Sequence, residues 1–455
     1  MLRKLAVIAA VVALATPVTG LAQQLSPPRL EFTQHTLKNG LELVVLEDHS
    51  APIVNVQVWY HVGSKDERPG RTGFAHLFEH MMFKGSKNVG PQEHANRIND
   101  VGGFLNAGTN FDYTFYWQTV PINALDMVLW LESDRMASLN VDDANLKSER
   151  DVVIEELRLR VLNPPYGRLG TLVFENSFKE SNYRWMPIGS QEDLEAATLA
   201  DVRDFHKTYY RPDNATIVIA GDVDAKELIA KVERYFGAIP RGEGAIPRPS
   251  KAEPAQTAER RVVDYDSKTP LPAAILAYHI PGLGDADSYP LDVASRILSS
   301  GQSSRLYRRL VYDKQVALQA AGQSFSLEDA GLFFFFAVMN AGKTADEGAA
   351  EMEAEIERLK NEPVSAAELE KAKTQLVAEV TVGRQTAQSK ADAIGAAATL
   401  LDNPKLVNEE LARYQAVTAA DIQRVAKKYL GKQNRSVIFM LPESMRPAAG
   451  GGGGN

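Results

Sequence analysis

The sequence contains an internal repeat, and this repeat constrains the fold more than any other feature of the chain. Residues 198–219 align without a gap with residues 418–439. The matched pairs include Asp201 with Asp421, Tyr209 with Tyr429 and Asn214 with Asn434. Each copy predicts a capped helix, a turn and a strand. Because similarity at a long, fixed distance is typical of a duplicated unit, we expect two copies of one domain.

The 455 residues of the chain suit two domains better than a single core. Strand-like and helical segments alternate in an N-terminal block, residues 30–238, and in a C-terminal block, residues 261–442. Between the blocks, residues 239–260 are rich in proline, glycine and charged residues and predict a linker. The last segment, residues 443–455, ends in a run of glycines and predicts a flexible tail.

The overall composition excludes several classes of function. The formal net charge of -8 argues against nucleic acid as a partner, because phosphate binding needs a basic surface. The chain has no cysteine, which excludes disulfide scaffolds, thiol catalysis and metal sites built on cysteine. Any bound metal must therefore be held by His, Asp or Glu side chains.

The first 22 residues have the pattern of a signal peptide. Arg3 and Lys4 give a positive start, and residues 5–17 are almost wholly apolar. Gly20 and Ala22 then place small residues where a signal peptidase cleaves. The alternative is a retained anchor, but the apolar run is short for a membrane span of about 20 residues. We expect an exported protein, periplasmic or secreted, with no membrane span after cleavage.

The sequence His76-Leu-Phe-Glu79-His80 is the strongest candidate for chemistry. Its two histidines are four residues apart, so on a helix both rings lie on one face and can bind one metal ion. Glu79 adjoins both and can take a proton from an attacking water. The alternative is a surface helix with two histidines, although most other residues of the segment are apolar: Phe74, Leu77, Phe78, Met81 and Met82.

A third metal ligand is expected from the helix predicted after Asp142. Glu149 and Glu156 are seven residues apart and share a helical face, which we expect to include Val152 and Val153. Two carboxylates among valines are costly unless they are ligated or hydrogen-bonded. Glu155 points about 100° away and is the weaker candidate. Without the histidines, a solvated acidic face would be the simpler interpretation.

These motifs together resemble the pitrilysin family of zinc peptidases, which includes insulin-degrading enzyme and the mitochondrial processing peptidases. The family is marked by an inverted H-x-x-E-H motif, here residues 76–80, followed after about 75 residues by a stretch like E-R-D-V-V-I-E-E at 149–156. Further similar stretches are G-S-K-D-E at 63–67, G-G-F-L-N-A-G-T-N-F-D-Y-T at 102–114, Y-R-W-M-P-I-G-S-Q-E-D-L at 183–194 and Y-R-P-D-N-A-T-I-V-I-A-G-D-V at 210–223.

The resemblance implies a role for each matching residue. His76, His80 and Glu156 would bind one zinc ion, and Glu79 would be the general base. Glu149 would support these ligands without binding the metal. Asn106 and Ala107 would lie on an edge strand that pairs with an extended peptide substrate, although an ordinary strand followed by a turn explains the same residues. The implied fold class is α+β, with two homologous domains, each a mainly antiparallel sheet backed by helices around a chamber.

The C-terminal block departs from the pattern of catalytic family members in one respect. Those members commonly carry an Arg and a Tyr, seven residues apart, after a stretch that matches residues 304–310. The corresponding positions hold Val311 and Leu318, while Arg309 and Tyr312 are out of register. This departure favours the zinc-bearing subunit of a two-chain peptidase, with a homologous partner that supplies the Arg/Tyr pair. The alternatives are a self-sufficient monomer or homodimer, a non-catalytic assembly subunit and a peptide-binding module.

The C-terminal block is expected to have lost the metal site. Residues 60–62 match residues 278–280, and the same register places core residues opposite the zinc motif. In this register Ala294, Ile297 and Leu298 lie opposite His76, Glu79 and His80. One zinc ion per chain is therefore expected.

Overall fold

The computed structural model describes residues 27–447, so the predicted signal peptide and the residues after 447 lie outside the described part. The strands are β1 Thr33–Thr36, β2 Glu42–Glu47, β3 Ile53–Tyr60, β4 Phe104–Thr109, β5 Thr114–Pro121, β6 Ala215–Gly221, β7 Arg260–Asp266, β8 Ala273–Pro281, β9 Ala317–Ser326, β10 Ala330–Met339 and β11 Arg435–Pro442.

Helices connect these strands in both blocks. The N-terminal block contains α1 Phe74–Met81, α2 Glu93–Asp100, α3 Leu125–Ser138, α4 Asp143–Leu157, α5 Leu169–Ser177, α6 Gln191–Glu195, α7 Leu199–Tyr209 and α8 Ala225–Phe236. The C-terminal block contains α9 Ser288–Ser299, α10 Ala345–Asn361, α11 Ala366–Val382, α12 Ala387–Leu401, α13 Glu410–Ala416 and α14 Ala419–Tyr429. Among the described residues, no helix is both long and apolar enough to cross a membrane.

The two blocks each form one sheet, and the sheets share a topology. The strand order is β1-β2-β6-β3-β5-β4 in the first sheet and β7-β11-β8-β10-β9 in the second. Apart from the extra strand β1, the two orders correspond strand for strand. Each sheet has one parallel pair, β2 with β6 and β7 with β11, and its other pairs are antiparallel. The predicted α+β class with two homologous domains is confirmed.

Side-chain contacts repeat along with the topology. Thr198 caps α7 by accepting from the amide of Asp201, and Thr418 caps α14 by accepting from that of Asp421. Asn214 Nδ2 donates to the carbonyls of His61 and Tyr209, and Asn434 Nδ2 donates to those of His279 and Tyr429. These asparagines fix the start of β6 and β11 in the same way, which supports the duplication seen in the sequence.

The register predicted between α1 and α9 is wrong by two residues. The buried residues of the zinc-motif helix match those of α9 only if the second copy is shifted: Phe74, Ala75, Leu77, Phe78, Met81 and Met82 then correspond to Pro290, Leu291, Val293, Ala294, Ile297 and Leu298. The stretch from Tyr278 to Pro290 is two residues shorter than the matched stretch from Tyr60 to Phe74, and an ungapped alignment cannot show this. Asp292, Ser295 and Arg296 therefore lie opposite His76, Glu79 and His80.

Each sheet is covered on one face by helices of its own block and on the other face by a helix from the other block. Helices α1, α3, α7 and α8 pack on the first sheet, and α9, α10, α11 and α14 pack in the core of the second. The opposite face of the first sheet is covered by α12, and the opposite face of the second sheet by α5. The two blocks thus exchange one helix each, which buries apolar surface between them.

The exchanged helix α12 lies so close to the first sheet that its Gly395 has no room for a side chain. A Cβ at Gly395 would lie 2.3 Å from Nε1 of Trp59. The buried Trp59 ring is held in place, since its Nε1 donates to Gln57 Oε1 at 2.7 Å. Gln57 in turn donates to Asp392 of α12 at 2.7 Å. Backbone and indole are therefore in direct contact at this position.

Gly395→Ala is expected to lower the free energy of unfolding, by roughly 1–3 kcal/mol as for other overpacked sites. Alanine normally stabilises a helix by up to about 1 kcal/mol relative to glycine. A decrease in the free energy of unfolding would therefore show that overpacking outweighs helix propensity. Gly170 of α5 is a matched control, because a Cβ there would meet Met186 only at an ordinary 3.6 Å. Denaturant unfolding of both variants checks the prediction. Equal stabilisation by Gly395→Ala and Gly170→Ala would contradict the packing described for α12.

The linker and the first residues of the predicted tail make more contacts than their composition predicts. Residues 240–259 form no helix or strand, but Arg248 Nη1 donates to the carbonyl of His61 at 2.6 Å. The carboxylate of Glu253 accepts from the backbone amides of residues 179–181. Glu443–Met445 forms a helical turn next to β7, so the predicted flexible tail does not begin at residue 443.

Candidate metal centre

Helix α1 presents His76 and His80 together on one face, as their spacing predicts. The two rings have centroids 4.9 Å apart and are nearly perpendicular. The opposite faces of the helix are buried in the core of the first sheet, so the helix cannot rotate without exposing apolar surface. Both histidines are only partly exposed and point towards α4, which packs against α1.

Glu156 of α4 completes a group of three side chains that could hold a metal ion. One ligand atom from each of His76, His80 and Glu156 can be chosen so that all lie within 4.8 Å of one another. Nε2 of His80 is 3.4 Å from Oε2 of Glu156, and Nε2 of His76 is 3.8 Å from the same oxygen. Zinc ligand bonds of about 2.0–2.2 Å put donor atoms of a tetrahedral site about 3.4 Å apart. Two imidazoles and one carboxylate at these separations fit a zinc ion.

The surroundings also set the charge of the two imidazoles. Burial, with His80 and Arg160 adding to it, lowers the pKa of His76 to about 3 and keeps its lone pair free for a metal. Burial acts in the same direction on His80, but the carboxylates of Glu149, Glu79 and Glu156 outweigh it and raise the pKa of His80. A cation is thus favoured beside His80, whether a proton or a metal ion. His76 Nδ1 is buried and has no hydrogen-bond partner among the described residues.

The other carboxylates of α4 are placed differently from Glu156. Glu149 lies behind His80, with Oε2 3.6 Å from Nδ1 of the ring and Oε1 2.7 Å from Nζ of Lys84. The Glu155 side chain is 56% exposed and pairs with Arg158 on another face of the helix. The face expected for Val152 is wrong: Val152 is 47% exposed, whereas Val153 is fully buried. Successive residues of an α-helix are 100° apart, so Val152 and Val153 point in different directions, and only Val153 faces the core.

Glu79 lies beside the three candidate ligands without belonging to their group. Its Oε2 accepts a hydrogen bond of 2.6 Å from Oγ1 of Thr109, the last residue of β4. Burial raises the pKa of Glu79, while the Thr109 hydrogen bond and His80 oppose the rise. A carboxylate that is held by one oxygen and has a raised pKa suits the transfer of a proton.

The predicted substrate strand is an edge strand. β4 is the last strand of the first sheet, and within residues 27–447 it pairs only with β5. Asn106 is exposed, and its Oδ1 accepts from the amide of Ala107 at 2.9 Å. Since Thr109 at the end of this strand contacts Glu79, a peptide added along β4 would run past Glu79.

Sequence reasoning missed Thr109, which contacts Glu79, and Arg160, which contacts Glu156. Thr109 carries no signal of its own, because only the β4–β5 hairpin brings it to Glu79. Arg160 has a weak signal, since it is four residues after Glu156 on the same helical stretch. Its Nη1 lies 2.5 Å from Oε1 of Glu156, although the side chain is 74% exposed. It supplies a positive charge to the carboxylate oxygen that faces away from the histidines.

The C-terminal block keeps a polar cavity at the equivalent place. This open cavity, of about 610 Å³, lies between α9, α11 and the edge strand β9. Arg296 pairs with Glu379 of α11 at 2.6 Å, and the amide of Ser324 donates to Oγ of Ser295 at 3.2 Å. By the strand registers Ser324 corresponds to Thr109, and by its place in α11 Glu379 corresponds to Glu156. The positions equivalent to His80 and Glu156 hold an arginine–glutamate pair.

The positions expected for an Arg/Tyr pair hold apolar side chains. Val311 is half-buried against the core of the second sheet, and Leu318 is exposed on β9. The nearby Arg309 is already paired, with Nε 2.6 Å from Glu351 and Nη1 3.1 Å from Glu355. Tyr312 is exposed at the surface.

Comparisons with known proteins place the chain in a family. The family profile described as "Insulinase (Peptidase family M16)" matches residues 43–173, and the profile "Peptidase M16 inactive domain" matches residues 196–376. The zinc protease PqqE of Helicobacter pylori is 33% identical over 413 residues, covering 90% of this chain and 92% of that protein. This chain belongs to peptidase family M16.

Other M16 relatives agree in sequence and fold. A probable mitochondrial-processing peptidase subunit beta of Arabidopsis thaliana is 26% identical and is matched over 92% of this chain and 79% of its own length. The crystal structure of a protease from Helicobacter pylori superposes with a TM-score of 0.87 at 31% identity, over 90% of this chain and all of that one. The expected resemblance is confirmed, and the chain is of the zinc metallopeptidase class.

Proposed function

We propose that this chain is a zinc metallopeptidase that hydrolyses peptide bonds, with His76, His80 and Glu156 as the metal ligands. One observation carries the proposal: the three donor atoms lie within 4.8 Å of one another beside the half-buried carboxylate of Glu79. Membership of family M16 agrees with this assignment. The number of zinc ions is one per chain, because the C-terminal cavity has Arg296 where the first site has His80.

In the proposed mechanism, bound zinc supplies Lewis acidity, which polarises a carbonyl and acidifies water. Glu79 acts as the general base and takes a proton from the attacking water. Thr109 holds one Glu79 oxygen by its 2.6 Å hydrogen bond and leaves the other free for the proton. Glu149 contacts the far side of His80 and keeps the ring oriented.

The proposed substrate is a peptide bound in an extended conformation. The free edge of β4, with Asn106 and Ala107, offers backbone groups for an added strand. This pairing would align a peptide bond with Glu79, and it places few demands on the side chains of the substrate. The peptide would be enclosed in a chamber between two homologous chains.

We further propose that the chain is exported and acts as the zinc-bearing subunit of a two-chain enzyme. The positive, then apolar, N-terminal sequence supports export to the periplasm or beyond. Val311 and Leu318 cannot supply the hydrogen bonds and charge of an Arg/Tyr pair. Substrate alignment would then depend on a partner chain that carries this pair, and alignment can contribute several kcal/mol to a reaction barrier.

The purified, zinc-loaded chain is expected to bind zinc stoichiometrically yet to cleave peptides poorly when alone. Addition of a homologous chain with Arg and Tyr at the places of Val311 and Leu318 should raise peptide hydrolysis by at least tenfold. The double variant Val311→Arg/Leu318→Tyr should recover a small part of this gain. Full turnover by the single chain would refute the two-chain arrangement and leave a self-sufficient peptidase. Zinc binding without hydrolysis in any mixture would indicate a non-catalytic subunit.

A further inference from the structure

The loop of residues 63–67 reaches the start of the zinc helix α1 through its last residue. Glu67 is 2% exposed. Its Oε2 accepts a hydrogen bond of 3.0 Å from the amide of Gly73, and its Oε1 accepts one of 2.8 Å from the amide of Ala75. The first amides of a helix have no partners within the helix and need acceptors from elsewhere. Glu67 provides these acceptors for the helix that carries His76.

Helix α1 needs an acceptor from outside because it cannot carry its own cap. Its N-cap residue is Gly73, which has φ of +85° and no side chain. A Cβ at Gly73 would lie 2.9 Å from the carbonyl oxygen of Ile188, and a Cβ at Gly189 would lie 2.4 Å from the nitrogen of Gly73. By contrast, α4 is capped by its own N-cap residue, Asp142. Close backbone packing therefore excludes the usual capping side chains from α1.

We propose that Glu67 is a positioning residue for the metal centre, which holds the first turn of α1 and thereby sets the places of His76 and His80. The inference rests on the proposed zinc site. His76 directly follows Ala75, whose amide Glu67 binds, so a shift of this turn moves the first ligand at once. Glu156 lies on α4 and would not move with α1, so the separations of 3.4 and 3.8 Å between ligand atoms depend on this anchor.

The same loop is also held by the junction between the two blocks, through Lys65. Lys65 is buried, and its Nζ lies 2.7 Å from Glu328, 3.1 Å from Asp112 and 3.3 Å from Asp329. Glu328 and Asp329 lie between β9 and β10, in the C-terminal block. Asn182 Nδ2 further bridges the carbonyls of Lys65 and Glu67, each at 2.8 Å. The position of the zinc helix is thus tied to the contact between the blocks.

The test compares metal binding by the wild type, Glu67→Gln and Glu67→Ala. Alanine removes both acceptors, and we expect zinc affinity to fall by about 10–100-fold, as when a residue that orients a metal ligand is lost. Glutamine keeps the volume and one acceptor oxygen but points its amide group at a backbone amide. The zinc affinity of Glu67→Gln should therefore fall by less than that of Glu67→Ala. Zinc affinity is measured by competition with a chelator, and the visible spectrum of the cobalt-substituted protein reports ligand geometry.

Asp224→Ala is the matched control, because Asp224 caps α8 through the amide of Glu227, away from the metal ligands. It should leave zinc affinity and the cobalt spectrum unchanged. If Glu67→Ala does not fold, the Gln variant decides the question. Wild-type zinc affinity and an unchanged cobalt spectrum in a folded Glu67 variant would overturn the inference. Failure of the wild type itself to bind either metal would instead refute the proposed zinc site.

Discussion

Replacement of Glu79 by Gln is expected to reduce peptide hydrolysis by at least about 10²–10⁴-fold, the usual effect of removing a general base. Glutamine has the shape of glutamate and can still accept from Thr109, but it cannot take a proton from water. Because Glu79 is not among the three grouped ligand atoms, zinc content should stay near one per chain. Peptide hydrolysis by the active assembly, together with metal analysis of the same sample, measures both quantities.

Thr109→Val provides a graded comparison for this prediction. It removes the 2.6 Å hydrogen bond that orients Glu79 but leaves the carboxylate in place. Its loss of activity should therefore be smaller than that of Glu79→Gln, with zinc retained. Loss of zinc from Glu79→Gln would make Glu79 a ligand and would require a new assignment of the base.

Glu156→Gln and Glu155→Gln are expected to differ strongly in metal binding, although the two residues are neighbours. Glu156→Gln removes the anionic ligand near His76 and His80, and its zinc affinity should fall by more than the roughly 10–100-fold typical of a lost supporting residue. Glu155→Gln should stay close to the wild type, because its side chain is largely exposed and pairs with Arg158. Chelator competition on the two purified variants gives the comparison.

Equal metal loss in both variants would mean that the helical face assigned to α4 is wrong. Unchanged affinity in both would remove Glu156 from the ligands, leaving Glu149 and Glu79 as the carboxylates near His80. Arg160 adds an internal check, since it contacts Glu156 but not Glu155 within 4 Å. Glu156→Gln therefore removes the ion pair of Arg160, whereas Glu155→Gln leaves that ion pair in place.

The parts of this site that lie within one helix could be predicted from the sequence. The spacing of His76 and His80, and that of Glu149 and Glu156, follow from helical geometry alone. The paired carboxylates made the helix after Asp142 a candidate for the third ligand, but the choice of Glu156 over Glu149 came from the family resemblance, because spacing within one helix does not show which carboxylate meets another helix. Val152 was misplaced because the apolar strip of α4 is narrow, and one residue of rotation separates the core from solvent.

The contacts made by loops could not be predicted in the same way. Glu67 acts on α1 across a turn whose path depends on the close approach of Gly73 and Gly189. The stretch between the matched positions of β8 and α9 is two residues shorter than its counterpart before α1. The ungapped alignment therefore placed core residues, and not Asp292 and Arg296, opposite the two histidines. Sequence periodicity reports which side of a helix is buried, but it carries no information on loop length.

The exchange of α5 and α12 between the blocks has a consequence for how such a chain can evolve. After a duplication, a copy that has lost its metal ligands would ordinarily be free to decay or disappear. Here, loss of the C-terminal copy would also remove α12 and leave one face of the first sheet bare to water. Each copy is a structural requirement of the other. Selection on the copy that carries the candidate metal centre therefore also preserves the other copy.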